Sequence, residues 1–293
     1  MRTGKRHKWT GFEIFSTVTL SILLLLIVIP FWNAVVISLE TPAAYSQKPF
    51  SWLPGEFTLD NYKFLFFKNG AVLLTAYRTT ILVTAAGTLL GMTVMVMAAY
   101  AFSRKFPGKK LLFFAMVFTM FFGGGLIPTY LQIRRMGMLD TYSILVLLGM
   151  ISTYNIIIMK NGFESVPVDL QDAAMIDGAN DLTIFGRVML PLQKPLIATF
   201  SLFLAVGYWN SWYWPMLLLQ SGDKTVLQMF LRSVVNSIGA RADSVVSEVA
   251  KTDSFPQGVK MAAVFAVMLP VMVVYPFLQK YFTKGILVGA VKM

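Results

Sequence analysis

Cysteine is absent from these 293 residues and histidine occurs once, as His7. With no cysteine there is no disulfide framework, no thiolate nucleophile and no thiolate metal site. Charge is also scarce: only 13% of residues are Asp, Glu, Lys or Arg, against 56% hydrophobic residues, 24 Phe, 18 Met and a mean hydropathy of +0.66. That balance is foreign to a water-soluble domain and points to a membrane protein. Three enzyme signatures are missing too. There is no GxxxxGK[ST] loop to cradle a nucleotide phosphate, no HExxH pair and no GxSxG elbow. Nothing predicts a metal site or a cofactor on this chain, and it is not expected to be an enzyme by itself.

What is present is a series of apolar runs of about 20 residues, the length that crosses the hydrocarbon as a helix. They fall at about 14–39, 79–102, 111–131, 142–160, 196–219 and 261–282. The first follows the basic stretch MRTGKRHK but continues without a small-residue cleavage site, so it reads as a retained helix. The expected fold class is an all-α integral membrane protein with six transmembrane helices.

The formal net charge of +11 is explained by position rather than by nucleic acid. Arg2, Lys5, Arg6 and Lys8 precede span one, and Arg104, Lys105, Lys109 and Lys110 crowd the short link between spans two and three. Basic residues concentrate on cytoplasmic loops, which places both there. Lys280, Lys284 and Lys292 put the C-terminus on the same side, N-in and C-in. The loops at about 40–71, 134–140 and 220–260 are then external, with Arg134 and Arg135 as an exception to the rule.

The span interiors hold no Asp, Glu, Lys or Arg. A proton-driven carrier needs a titrating group facing its path, and none is available. A sodium site built from backbone carbonyls stays open. Energy is therefore expected from outside the spans.

The longest cytoplasmic connection, about 161–195, contains QDAAMIDGANDLTIFGRVMLPLQKP. Pro167 suits a first helical turn, and Asp169 and Asp172 complement the positive end of a helix dipole. Ala173, Ala174 and Met175 follow, and Gly178 supplies a left-handed stop. Asn180 or Asp181 is placed to cap a second helix, in which Leu182, Phe185, Val188 and Met189 form an apolar stripe, with Pro191 ending it. An amphipathic loop resting on lipid predicts the same stripe. However, Asp169, Asp172 and Asp177 make the first helix acidic, a poor match for anionic headgroups, so a protein partner fits better.

At these residues the sequence resembles the inner-membrane permease subunits of ATP-binding cassette importers, whose signature is EAA, three residues, Gly, nine residues, then Ile-x-Leu-Pro. Asp172, Ala173, Ala174, Gly178, Val188, Leu190 and Pro191 keep that spacing, with Asp172 in place of glutamate and Val188 in place of isoleucine. GGGLIPTYLQIRRMGMLDTYSILVL, GYWNSWYWP and YPFLQKYFTKGILVGAVKM extend the likeness along nearly the whole chain. It is closest to the carbohydrate-importer, MalG-like branch, and within that to the subgroup handling uronic-acid-containing saccharides such as alginate. The resemblance implies a single transmembrane permease domain over residues 1–293 in the bacterial inner membrane. It implies a second permease subunit, two ATPase subunits carrying ATP and Mg, an external solute-binding protein and a saccharide substrate. It also makes the segment holding Asp172, Ala173, Ala174, Asp177, Gly178, Val188, Leu190 and Pro191 the ATPase-coupling helix between spans four and five. The reading from a different class is a self-contained ion-coupled secondary transporter.

Other constellations carry expectations of their own. Trp209, Asn210, Trp212 and Tyr213 near the end of span five, with Tyr154 and Asn155 in span four, are substrate-path candidates because aromatics with a few polar groups suit sugars. An interfacial aromatic belt predicts the same residues. Gly87 and Gly91, with Thr84 a turn earlier, form a GxxxG that favours close helix packing. Gly123, Gly124, Gly125 and Pro128 should break span three. Lys63, Lys68, Arg78, Arg134 and Arg135 give the early external segments a basic bias that suits an anionic saccharide or lipid headgroups. The 220–260 loop is too long for a turn and should carry helix to meet the binding protein. By the same resemblance, the tail from Lys284 to Met293 is expected to touch the ATPases.

Overall fold

A computed structural model describes residues 10–68, 70–236 and 255–290, with side chains through residue 276. The expectations placed on the N-terminal basic residues, on 237–254, on the side chains of Lys280 and Lys284 and on the last residues lie outside this set. Among the described residues the chain is helical, with one isolated bridge between Glu40 and Phe57. Three helices are long and apolar enough to cross a membrane, and three bent pairs pass the same test when each pair is counted together. They sit in two compact units, Met1–Gly70 with Ser233–Ala266 and Ala71–Arg232 with Val267–Met293.

In the first unit, α1 (Gly11–Ser38) opens on a capping box: Thr10 Oγ1 accepts from the Glu13 amide and Glu13 accepts from the Thr10 amide. Its side chains are apolar on every face, and Phe12, Phe15, Leu20, Leu26 and Ile27 are exposed. A helix greasy all round is matched to lipid or to other helices rather than to water. The 40–71 stretch is folded rather than a bare loop. Thr41 caps a short helix at Pro42–Gln47, and buried Asn61 donates to the carbonyls of Ser38 (3.1 Å) and Glu40 (3.2 Å).

The second unit holds all but the first residue of α2 (Gly70–Ser103), whose 34 residues extend to about 50 Å. The hydropathy boundary near residue 79 is not the helix boundary, because Arg78 ends an apolar run without breaking a helix. Next come α3 (Lys109–Phe121) and α4 (Leu126–Arg135), bent by 114° at the glycine run, where Gly125 has φ of +80°. The expected break in span three is there. Span four is also broken, which periodicity does not reveal: α5 (Tyr142–Gly149) and α6 (Thr153–Glu164) meet at 49°. The cause is Ser152, whose hydroxyl accepts from the Asn155 amide at 3.3 Å and starts a new helix.

After α6 come α7 (Val168–Ile176) and a longer helix, α8 (Asp181–Leu192), then α9 (Lys194–Trp209), which leaves α8 at 78°. The single span expected over 196–219 is corrected. It stops at Trp209 and resumes as α10 (Tyr213–Leu218), because Pro215 has no N–H to offer the Ser211 carbonyl. The helix expected within the 220–260 loop is α11 (Leu227–Asn236), and α12 (Pro256–Ala290) closes the described chain.

Two apolar clusters organise the second unit. One gathers Met95, Ala99, Met159, Phe163, Ile184 and Met189, and the other Val83, Ile144, Leu145, Tyr208 and Leu218. Helix approach in the second depends on glycine. A Cβ on Gly87 would stand 2.3 Å from the Tyr208 ring, and one on Gly149 2.8 Å from it. Tyr208 thus lies against two glycines and donates to the Val146 carbonyl at 2.6 Å. The GxxxG is a packing device.

Candidate functional site

The segment from Pro167 to Leu192 is built by short-range rules. Pro167 is extended (φ −54°, ψ 133°) and precedes α7 instead of lying in its first turn. Asp169 occupies that first turn as expected. At the other end Gly178 adopts φ +81°, and the Gly178 amide donates to Met175 O (3.0 Å) while the Ala179 amide donates to Ala174 O (2.9 Å). This crossed pair is a Schellman motif, and it uses the freedom of glycine in the left-handed region. Asn180, not Asp181, caps α8: its Oδ1 accepts from the Thr183 amide at 2.9 Å.

Pro191 does not end α8. The helix widens over Phe185–Met189 into a π turn, in which the Leu190 amide reaches the Phe185 carbonyl. Proline removes one i→i−4 bond and crowds the preceding turn; the wider turn just before it, a recognised helix irregularity, accompanies that change and lets the helix run on to Leu192. The apolar stripe is re-phased accordingly. Ile184 and Met189 are fully buried and Phe185 and Val188 half-buried, whereas Leu182 is 79% exposed. Leu182 is therefore corrected out of the inward face and Ile184 replaces it.

The motif residues divide by direction. Ala174, Val188 and Leu190 pack against the cluster around Met95, Met159 and Phe163. Asp172, Ala173, Asp177, Gly178 and Pro191 are exposed. Beside these acidic groups stand bare apolar side chains, Val168, Met175, Leu182 and above all Ile176 at 87% exposure. Apolar side chains and carboxylates thus stand side by side around the glycine turn. The sequence signal for Ile176 was available: an apolar residue in the last helical turn, just before the glycine stop.

This face is fastened from behind. Arg104, just past the end of α2, donates through Nη1 to Gln171 Oε1 on α7 and through Nη2 to Asp181 Oδ1 on α8 at 3.0 Å. Gln193 Nε2 donates to the Gly162 carbonyl at 2.8 Å, fixing the bend between α8 and α9 to the end of α6. Lys109 and Lys160 both pair with Glu164, at 3.5 and 2.6 Å.

The path candidates are dispersed. Trp209 is buried and its indole N–H donates to the Val267 carbonyl at 3.3 Å. It forms part of the wall of a cleft of about 510 Å³ between α2, α9 and α12, mostly aliphatic, that also includes Thr84, Thr88, Ser201 and Tyr275. Among the described residues, the buried hydroxyls of Thr84 and Thr88 have no hydrogen-bond partner. Asn210 accepts from Gln228 Nε2 at 3.2 Å. The Trp212 ring meets Tyr213 edge-on and lies 3.9 Å from the Arg232 guanidinium. Tyr154 is exposed and Asn155 half-buried, both in the first turn of α6. Of the basic residues flagged for anions, Arg134 and Arg135 are exposed at the end of α4, whereas Lys63 pairs with Asp60 at 3.0 Å.

Sequence reasoning missed a second polar knot. Asp140, a non-glycine residue at φ +57°, accepts from the amides of Gln220 (2.9 Å) and Ser221 (3.1 Å), from the Ser221 hydroxyl and from Lys224 Nζ (2.8 Å). Lys224 first, then Ser221, hold its carboxyl well below the usual carboxylate range. Its residues lie about 80 apart in sequence, so no local signal announces it.

The family described as "Binding-protein-dependent transport system inner membrane component" matches residues 111–288. The chain is 40% identical over 271 residues to the polygalacturonan/rhamnogalacturonan transport system permease protein YtcP of Bacillus subtilis, covering 92% of this chain and 93% of that one. It is 26% identical over 276 residues to the diacetylchitobiose uptake system permease protein NgcG of Streptomyces coelicolor, covering 91% and 85%. A solved bacterial ABC transporter involved in the import of the acidic polysaccharide alginate contains a chain that superposes with a TM-score of 0.85 at 30% identity, covering 94% of this chain and 100% of that one.

Proposed function

Because the chain belongs to the family of binding-protein-dependent transport system inner-membrane components, we propose that it is the transmembrane subunit of an ATP-driven saccharide importer. In this reading it spans the bacterial inner membrane six times, N-in and C-in, and forms half of the translocation path with a second permease subunit. Two cytosolic ATPase subunits bind ATP and Mg, and an external solute-binding protein delivers the sugar. The chain itself catalyses nothing. The substrate is an oligo- or polysaccharide with uronate units. Support comes from relatives named for polygalacturonan and alginate and from the exposed Arg134 and Arg135, whose charge suits a polyanion.

One observation carries the coupling role. The segment from Asp172 to Pro191 keeps the spacing of the family motif and presents Ile176, Met175 and Leu182 outward beside Asp172 and Asp177. An ATPase that closes on ATP can bias the spans only through a contact whose affinity differs between its open and closed states. The rigid Schellman turn, anchored through Ala174 and Val188, provides such a contact. The polar and aromatic groups at Trp209, Asn210, Trp212 and Tyr213, with Tyr154 and Asn155, serve as path residues in the same reading.

The native chain has no cysteine, so Ile176→Cys or Asp177→Cys introduces a unique thiol. Either should crosslink to a single-cysteine ATPase subunit in the assembled transporter, with a yield that changes on ATP binding. A thiol that reacts freely with a soluble maleimide but never with the ATPase would overturn the docking role. Uptake by this chain alone under an ion gradient would overturn the importer reading altogether.

A further inference from the structure

Arg104 follows the last residue of α2, and its guanidinium is divided between two helices: Gln171 of α7 and Asp181 of α8. Between those partners the chain passes through the Gly178 turn, so the two halves of the segment are joined by backbone and by Arg104. The partners are unequal. Asp181 is 76% exposed, and an exposed ion pair contributes little. Gln171 is 7% exposed, so its amide oxygen depends on a protein donor. Tyr100, one turn earlier on α2, extends the grip, with its ring 5.7 Å from the guanidinium and 4.7 Å from the Phe185 ring.

Along the backbone, a displacement of α7 has a long route to α9: through the left-handed turn, the π turn of α8 and the 78° bend. Its route to α2 is one side chain long. We propose that Arg104 is a positioning residue, a strut that transmits movement of the docking segment directly to α2, so that α2 and α9 are driven together. These two helices form part of the wall of the cleft that holds Trp209, Thr84 and Thr88, and driving both sets its width. A planar, forked cation suits the task, since a lysine ammonium cannot hold both acceptors in one geometry. The inference rests on the reading of residues 168–192 as the ATPase-facing segment.

The test uses the complete transporter with spin labels at Leu89→Cys on α2 and Leu202→Cys on α9, both at the cleft, and ATP with vanadate as the probe. ATP should shift the distance distribution between the labels. Arg104→Ala should reduce that shift at least twofold while ATP hydrolysis continues, and Arg104→Lys should recover part of it. A full shift in Arg104→Ala overturns the strut. Should that variant fail to assemble, Gln171→Leu fills the buried position and removes the acceptor. It should show the same loss, and an unchanged shift overturns the proposal equally. The Ile176→Cys crosslink separates the two readings. With the crosslink intact and the shift unaffected, only the strut fails; without a crosslink in an otherwise unaltered chain, the docking reading fails first.

Discussion

Two charged residues of the second unit, Arg104 and Asp140, each fasten distant segments by side-chain hydrogen bonds, but they do different things with them. Asp140 collects its donors from one short stretch, Gln220 to Lys224, and that stretch closes on a single residue as a finished knot. Arg104 reaches two helices separated by a glycine turn, next to apolar side chains that are exposed among the described residues. A knot whose bonds all serve one loop stabilises that loop. A fork whose bonds serve two elements links their movements, and it belongs where force must be passed on. The same chemistry thus gives a fastening in one place and a joint in the other.

The largest effect that would expose this difference is expected from Gly178→Pro. Proline fixes φ near −65°, so it cannot adopt the +81° of the turn. The joint is lost while the spans still insert: ATP-driven uptake should fall at least tenfold, with membrane insertion and assembly by detergent gel filtration unchanged. Normal uptake by this variant would remove the basis for calling the segment a joint. Asp140→Ala should behave in the opposite way. It removes the carboxylate that accepts from the Gln220 and Ser221 amides and the Ser221 hydroxyl and leaves Lys224 only the Asp140 carbonyl, so thermal melting in detergent should drop by several degrees while the number of sugars moved per ATP stays at the wild-type value. A fall in that ratio with unchanged melting would make the knot a coupling element and erase the contrast.

A smaller effect is expected from pH. The Asp140 carboxyl titrates below its ordinary value because Lys224 and Ser221 favour its charged form. Its contribution to stability is fully present above the unfolded carboxylate value of about 4 and fades as pH falls toward the depressed folded value. Asp140→Asn should therefore flatten the acid limb of the melting curve. An identical limb in the variant would show that the knot does not carry it. The smallest effect belongs to Asp181→Asn. The carboxylate is exposed, the pair contributes no more than about 1 kcal/mol, and uptake should stay within twofold of the unaltered chain. A loss as large as that of Arg104→Ala would move the weight of the fork from Gln171 to Asp181.

The sequence alone determined what short-range physics controls. The helical character of the apolar runs and their charge-free interiors follow from composition. The turn at Gly178 follows from the steric freedom of glycine, a cap at Asn180 or Asp181 from a side chain reaching three residues on, with the structure choosing Asn180, and the break at Gly123–Gly125 from the loss of helix propensity. The spacing from Asp172 to Pro191 was legible for the same reason, because every piece acts within one or two turns of its neighbours. The periodicity itself misled at Leu182, since a π turn shifts the phase of a helix without leaving any mark on residue hydrophobicity. Span five likewise read as continuous, because hydropathy registers oiliness and not the missing N–H of Pro215. Only the tertiary structure decided which side chains complete one another across the chain. Tyr208 lying against Gly87 and Gly149, Asp140 meeting Lys224 and Arg104 gripping Gln171 and Asp181 each join residues about 60 or more positions apart. Such pairs are set by the close packing of helices, in which the volume left by an absent Cβ or the direction of one guanidinium matters to within an ångström, and no local pattern records it.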